Sequence, residues 1–234
     1  MDDISSFART LTKLERLMAK LDMAVSNTRC MFGVKNMELT YDVSLRVAEL
    51  MEKAVLVARA LPAYTGAPDA AMMVAKQTAS VVHVEIGFTD EGWFSLRMPM
   101  LLPKKEHGSA DYIRSILFPE MQRFFHNQAP CRFKDCVLIY RHVYSRDRPE
   151  RQRRDHDNIE INMVSDIVAL YTMLDDAPSR CRHYYCSAES DSERTEVYVV
   201  PSEEFIQWYS QEKDFPANGP ALSEFAPKHS QKDM

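Results

Sequence analysis

The sequence predicts an α+β protein, in which an α-helical hairpin precedes a domain built on a mixed β-sheet. In the first 61 residues, apolar side chains recur at spacings of three and four, the period of an amphipathic helix. From about residue 80, segments rich in β-branched and aromatic residues alternate with further segments of helical period. We therefore expect a helical extension over residues 1–65, an α+β domain of order ββαβαββ over residues 66–210, and a polar, disordered tail over residues 211–234.

The N-terminal hairpin is predicted from two apolar stripes joined by a short connection. The first helix covers residues 5–30, and Gly33 is its expected stop. The second runs from about Asn36 to Leu61, where Pro62 ends it because proline cannot continue a helix. The stripes are compatible with packing against the rest of the chain or a second copy, and also with a surface that binds a partner.

The elements of the α+β domain are expected after a connector at residues 61–70 that contains proline and glycine. In chain order they are a short helix at 72–78, a hairpin of strands at 80–88 and 93–101, a helix at 110–127, a strand at 135–144, a helix at 158–173, and two strands at 179–189 and 194–201. Asp157 or Asn158 suits the N-cap of the helix at 158–173, because a short polar side chain can accept a hydrogen bond from the first turn.

Composition narrows the classes of function. The formal net charge is −5, so a generally basic surface for nucleic acid is excluded and any such site must be a local patch. No N-terminal apolar segment follows a basic start, and no apolar run approaches the roughly 18 residues that a membrane-spanning helix needs. We therefore expect no signal peptide, no membrane association and a cytoplasmic location.

The five cysteines are expected to be reduced thiols, since their number is odd and no export signal is evident. A loose zinc set is the other interpretation, and its members would be Cys131, Cys136, Cys181, His183 and Cys186. On a strand, Cys181 and His183 share a face while Cys186 points to the other, which favours buried or free thiols.

Two groups of carboxylates flank the predicted helix at 158–173. Asp155 and Asp157 precede it and, two residues apart on an extended segment, can converge on one cation. Asp175 and Asp176 follow it, about 24 Å away along the helix unless the chain turns back. Clustered carboxylates repel one another unless a cation neutralises them, and hard oxygen ligands favour Mg²⁺ or Mn²⁺. The pattern predicts either a metal site that activates water for phosphodiester cleavage or a solvated acidic loop.

A cluster of arginines stands before the first acidic pair. Its members, within fourteen residues, are Arg141, Arg146, Arg148, Arg151, Arg153 and Arg154. Guanidinium groups bind phosphates with paired donors, so a basic loop that leads into an acidic metal site suits a phosphodiester substrate. The same arginines are compatible with intramolecular pairing to carboxylates on a surface loop.

The segment RRDHDN, followed by LDD about twenty residues after its first aspartate, resembles the motif of the RusA-type Holliday junction resolvases. That family has the pattern Arg-Asp-x-Asp-Asn, a helix and then Asp-Asp at this separation, and the similarity covers roughly residues 80–202. Taken whole, the chain also resembles an uncharacterised family of bacterial proteins found on mobile elements. The resemblance implies a RusA-like domain in a small homodimer that uses Mg²⁺ to cut branched DNA.

The resemblance also assigns roles by position. It implies that Asp155, Asp157 and Asp176 are catalytic metal ligands. Asp175 would be a further ligand beside Asp176, and Arg154 would contact the DNA backbone. The other residues expected to bind DNA are Arg146, Arg148, Arg151, Arg153, Lys104 and Lys105.

One position departs from the pattern of the resolvases. The family continues Asp-x-Asp-Asn-x-x-Lys, and Ile161 occupies the lysine position here. A lysine stabilises the negative charge that develops in the transition state, and Lys104 or Lys105 is the candidate replacement. Three functions therefore stay open. They are a Mg²⁺-dependent endonuclease acting on branched DNA, a catalytically impaired RusA-like accessory protein that binds DNA or a protein partner, and a structural accessory protein whose helical hairpin binds a partner.

Overall fold

The computed structural model describes residues 2–105, 108–128, 131–148, 150, 153 and 156–227, with the backbone alone for residues 2–4, 79 and 157. It divides into two compact units, of which the first ends at Gln77 and the second begins at Thr78. The predicted α+β class with a mixed sheet is confirmed. This boundary between the two units lies inside the third helix, whereas the sequence predicted a boundary after residue 65.

Six α-helices and five strands make up the described structure. In chain order they are α1 (Asp2–Gly33), α2 (Met37–Ala60), α3 (Ala70–Val81), β1 (Glu85–Phe88), β2 (Phe94–Met98), α4 (Ser109–Phe124), β3 (Cys136–Ser145), α5 (Asn162–Thr172), β4 (Cys181–Ser190), β5 (Arg194–Pro201) and α6 (Phe205–Gln211). No helix among these residues is long and apolar enough to cross a membrane.

The first unit is built on the helical hairpin of α1 and α2. Asn36 caps α2, because its side chain accepts a hydrogen bond from the backbone N–H of Leu39 at 3.1 Å. The main buried cluster of the hairpin is formed by Leu21, Ala24 and Leu50, with Leu17 and Val47 partly buried beside it. Two long helices therefore share a narrow apolar contact.

The segment before β1 differs from its prediction. Residues 80–88 were expected to form one strand, but α3 continues to Val81 and the Val82 N–H still donates to the Thr78 carbonyl at 2.8 Å. The strand begins only at Glu85, where Arg97 of β2 provides a partner. The β-branched valines at 81 and 82 favour a strand locally, and the long-range pairing decides where it begins.

The sheet has the strand order β1-β2-β5-β3-β4. β3 and β4 are parallel, with Cys136 opposite Cys181 and Ser145 opposite Ser190. All other pairs are antiparallel, which makes the sheet mixed. β5 lies at the centre, although it is the last strand in the sequence.

Helices cover both faces of the sheet. On the first face, α4 and α5 pack over side chains such as Leu138, Tyr140 and Val197. On the second face, α6 inserts Trp208 into a smaller core. The other buried members of that second core are Trp93, Val137, Ile139, Tyr198 and Val200.

The C-terminal segment lies against the sheet, where the sequence predicted disorder. Phe88 and Ser223 exchange two backbone hydrogen bonds of 2.8 Å, and Phe215 packs against Trp208 with ring centroids 5.8 Å apart. The close approach requires Gly87, because a Cβ there would meet the Ser223 carbonyl oxygen at 2.7 Å. The polar composition of this segment gave no indication of these few apolar and backbone contacts. Residues 228–234 lie outside the described part of the chain.

Candidate functional site

Of the acidic segment before α5, the structure describes the backbone of His156–Asn158, which forms a short 3₁₀ turn. The predicted helix start at residue 158 is wrong, because α5 begins only at Asn162. The intervening residues pair with the loop after β2: Lys105 N–H donates to the Asn158 carbonyl at 3.0 Å, and Glu160 N–H donates to the Pro103 carbonyl at 2.9 Å. This pairing draws the backbone of residues 158–160 away from the helix.

The same pairing brings the loop that contains Lys104 and Lys105 beside the turn at residues 156–158. Lys104 forms a backbone bridge with Ile159, and both Lys104 and Lys105 expose their side chains. Glu160 is buried between them and α4, where it accepts a hydrogen bond from the Ser109 hydroxyl at 2.9 Å. Two mobile cationic groups can therefore reach the surroundings of residues 156–158.

Aromatic rings of β3 and β4 stack against the turn at residues 156–158. The imidazole of His156 lies on His142 and Tyr185, with ring centroids 5.4 and 5.6 Å away. Tyr185 in turn stacks on Tyr140, whose hydroxyl bonds to Ser165 of α5 at 2.7 Å. Burial raises the pKa of Tyr140 well above its ordinary value, so this hydroxyl stays protonated and structural. The motif is thus anchored on the first face of the sheet.

Several predicted site residues lie outside the described part of the chain. These are Arg151, Arg154 and Asp155, together with the side chain of Asp157. Their expected roles as metal ligands and DNA contacts stay predictions.

The second acidic pair lies at the other end of α5. This helix contains eleven residues, which gives it a length of about 16 Å. Beyond it, Met173 pairs with Phe133, and Asp175 accepts a hydrogen bond from the Ala177 N–H at 3.1 Å in a local turn. β4 then starts beside Cys136, at the opposite end of β3 from the turn that holds His156. The structure therefore keeps Asp175 and Asp176 apart from residues 156–158.

The position at which the resolvases have lysine lies at the edge of the apolar core. Ile161 is half-buried and packs against the apolar cluster under α4 and α5, and its carbonyl accepts the Tyr140 hydroxyl at 3.1 Å. Within the described residues, no group of three His, Cys, Asp or Glu side chains is arranged to hold a metal ion.

The described arginines of the loop pair with carboxylates of the same chain. Arg146 contacts Asp191 at 3.3 Å, Arg148 bonds to Glu193 at 2.8 Å, and Arg153 pairs with Glu189 while lying 5.7 Å above the ring of Tyr144. The acidic partners all come from the end of β4 and the turn before β5. The sequence segment ESDSE carried this signal, and only the parallel pairing of β3 with β4 brings it beside the arginines.

The cysteines are free thiols. Cys136 and Cys181 are neighbours in the sheet, and the hydrogen bond from the Cys136 thiol lowers the pKa of Cys181. Burial raises the pKa of Cys131 and of Cys186 to about 12 each. Since Cys186 faces the second core and the other buried cysteines face the first, the arrangement does not converge on one ion.

Comparison with known families identifies one match, which extends over residues 2–225 and so covers both units. The chain belongs to DUF6100, a family of unknown function. Neither the curated proteins nor the solved structures contain a match to it. The match spans the hairpin, the sheet and the C-terminal segment to Phe225, which indicates that these parts occur together in DUF6100 members.

Proposed function

We propose that this DUF6100 protein is a divergent RusA-like protein that binds branched DNA and has lost rapid metal-dependent cleavage. The observation that carries the proposal is the separation of the backbone of residues 156–158 from Asp175 and Asp176 by the length of α5. A cluster of carboxylates binds Mg²⁺ strongly only when several oxygens converge on the ion. With the half-buried Ile161 at the lysine position, the charge that assists cleavage in the resolvases is also missing from its usual place.

In DNA binding, the arginines of the loop would exchange their carboxylate partners for DNA phosphates. The Arg146 and Asp191 side chains are 64% and 86% exposed, and exposed pairs of this kind contribute only about 0–1 kcal/mol. A DNA phosphate can accept two hydrogen bonds from one guanidinium group, and its binding also releases bound counterions. The carboxylates of the β4–β5 turn would then hold the arginines in place until a phosphate displaces them.

A Mg²⁺-dependent endonuclease is the second candidate, and the lysine loop favours it. The bridge between Lys104 and Ile159 brings two lysines beside the acidic turn, where either can replace the missing charge. Asp155 and Asp157 would bind Mg²⁺ or Mn²⁺, and the metal would activate water for attack on the phosphodiester. The resemblance further implies that the active form is a homodimer, which fits the two-fold symmetry of a four-way junction.

The first test measures binding to a labelled four-way junction and to linear duplex over a range of salt concentrations. We expect the junction to be preferred and the affinity to fall with salt, with a slope of about 0.9 per phosphate contact. One variant replaces four loop arginines with alanine, at positions 146, 151, 153 and 154. Its matched control removes the same charge from the exposed arginines of the hairpin, at positions 9, 16, 29 and 46. A flatter slope in the loop variant alone supports the proposal, and equal slopes in both variants contradict it.

The second test separates the two candidates. The parent protein, Asp157→Asn and Lys105→Ala are incubated with the junction in millimolar Mg²⁺ or Mn²⁺, and their thermal stability is recorded with and without metal. The binding proposal predicts little or no cutting by any of them. Brisk symmetric cutting that Asp157→Asn abolishes would establish the endonuclease instead, and a loss in Lys105→Ala would identify the replacement lysine.

A further inference from the structure

A cavity of about 390 Å³ lies on the second face of the sheet, away from the acidic motif. The ends of β3 and β4, the start of β5 and the segment 212–217 surround it. Its charged lining residues are Arg141, Glu189, Arg194, Glu212 and Lys213. The volume is at the lower end of the range for small-molecule sites, which is enough for a phosphate group with a small organic substituent.

Two arginine side chains in this lining are nearly buried. Those of Arg141 and Arg194 are only 8% and 9% exposed. Both bond to the fully buried Glu196, at 3.0 Å from Arg141 Nη1 and 2.6 Å from Arg194 Nε, and the Tyr198 hydroxyl donates to the same carboxylate at 2.8 Å. The carboxylate of Glu196 therefore holds the two guanidinium groups side by side.

One nitrogen of this pair has no acceptor. Arg194 Nη2 donates to the Ala217 carbonyl at 2.6 Å, but its Nη1 is buried and finds no hydrogen-bond acceptor in the described part of the chain. A buried N–H of a charged group is costly to leave without an acceptor. Because Arg194 lines the cavity, an oxyanion bound there would lie beside this guanidinium group.

The charges around the cavity favour an anion. Arg141, Arg194 and Lys213 provide three positive charges, against the two carboxylates of Glu196 and Glu212. The remaining carboxylate of the lining, Glu189, pairs with an arginine of the loop. Arg141 pairs with both Glu196 and Glu212, which fixes the position of its guanidinium group in the lining.

We propose that this cavity binds a small oxyanion of the phosphate class, either free phosphate or a phosphomonoester. Arg194 and Arg141 would contact the oxygen atoms with their guanidinium groups, and Lys213 would add a third cationic contact from the surrounding segment. The motif and its ring stack lie on the first face of the sheet, and the cavity shares with the arginine loop the residue Glu189, which pairs with Arg153.

The experiment measures thermal stability and binding heat with inorganic phosphate, and separately with a nucleoside monophosphate, against sodium chloride at equal ionic strength. We expect saturable stabilisation by phosphate and none by chloride. A lower dissociation constant for the nucleotide assigns the site to phosphomonoesters, and equal constants assign it to free phosphate.

Two variants test the residues. Lys213→Ala leaves the pairs of Glu196 intact and should weaken phosphate binding about tenfold, the usual loss for one charged hydrogen bond. Arg194→Lys keeps a cation beside Glu196 but removes Nη1, and should weaken binding by at least as much. The control is Arg182→Ala, an exposed arginine that pairs with Asp135 outside the cavity. Phosphate stabilisation no greater than that of chloride, or unchanged in both lining variants, would overturn the proposal.

Discussion

The hairpin unit and the sheet unit are stabilised in different ways. The hairpin has two helices of 32 and 24 residues over a buried core of Leu21, Ala24 and Leu50, so most of its hydrogen bonds are local. The sheet unit buries aromatic and aliphatic side chains from distant parts of the sequence on both of its faces. Because few buried apolar contacts give low local stability, we expect the hairpin to open before the sheet.

The largest expected effect comes from breaking the second core of the sheet unit. Trp208 is fully buried and touches Tyr198 and Phe215. Trp208→Ala should lower the free energy of unfolding of the sheet by about 3–5 kcal/mol, through lost burial and the cavity left behind. Denaturant unfolding followed by the fluorescence of Trp93 measures the loss, since both tryptophans lie in this unit.

The matched control is Tyr209→Ala, one residue away and about half exposed. It should change the free energy of unfolding by much less than Trp208→Ala. Equal losses in the two variants would mean that α6 and the C-terminal segment do not pack on the sheet.

A smaller effect is expected in the hairpin. Leu50 is its most buried leucine, and Leu50→Ala should lower the stability of this unit by about 2 kcal/mol, because two helices with a narrow contact can close part of the gap. Hydrogen exchange of the α1 and α2 amides measures the change. The control, Leu45→Ala, is about half exposed and should be close to neutral. Faster exchange in β3 and β5 as well would show that the two units unfold as one.

The smallest effect concerns charge and pH. The hydrogen bond from Lys53 lowers the pKa of Glu49, with a further contribution from Arg46. A carboxylate with a lowered pKa stabilises the folded state above its unfolded pKa, here 4.5, and loses that contribution as the pH falls through the folded value. The pair is only partly buried, so a double-mutant cycle of Lys53 and Glu49 should give about 0.3–0.5 kcal/mol at pH 7 and less as the pH falls below 4.5. Thermal unfolding of the four proteins of the cycle at several pH values measures the change, and a pair energy that does not decrease in acid would contradict it.

The sequence predicted the positions of helices and strands better than it predicted which distant segments pair. The 3.6-residue period located α1, α2 and α4, because a helix is largely decided by neighbouring residues. The start of α5 was misplaced, since the pairing of Lys104 with Ile159 joins segments more than fifty residues apart and leaves no local signal. Helix α6 has only seven residues, which is too short for a period to be recognised.

The candidate site was predictable in its chemistry and only partly in its geometry. The sequence indicated that the arginines meet either phosphates or carboxylates, and the position of Glu193 opposite Arg148 depends on the strand order. It also left open whether Asp176 returns to the motif, which depends on where β4 begins. Nothing in the sequence indicated that Arg194 is part of a binding site, because a single arginine at the start of a strand is common. Only the structure shows the cavity and the buried nitrogen of this side chain.

The central place of β5 has a consequence for biosynthesis. While the ribosome is still making the chain, β1 can pair with β2, and β3 with β4, but nothing joins the two pairs. Until Arg194–Pro201 emerges, β2 and β3 each present an open edge flanked by apolar side chains, which other nascent chains can pair with. The helical hairpin, with its local contacts, can be complete long before that moment. The late arrival of one strand therefore decides both when the sheet unit folds and when it is most in need of a chaperone.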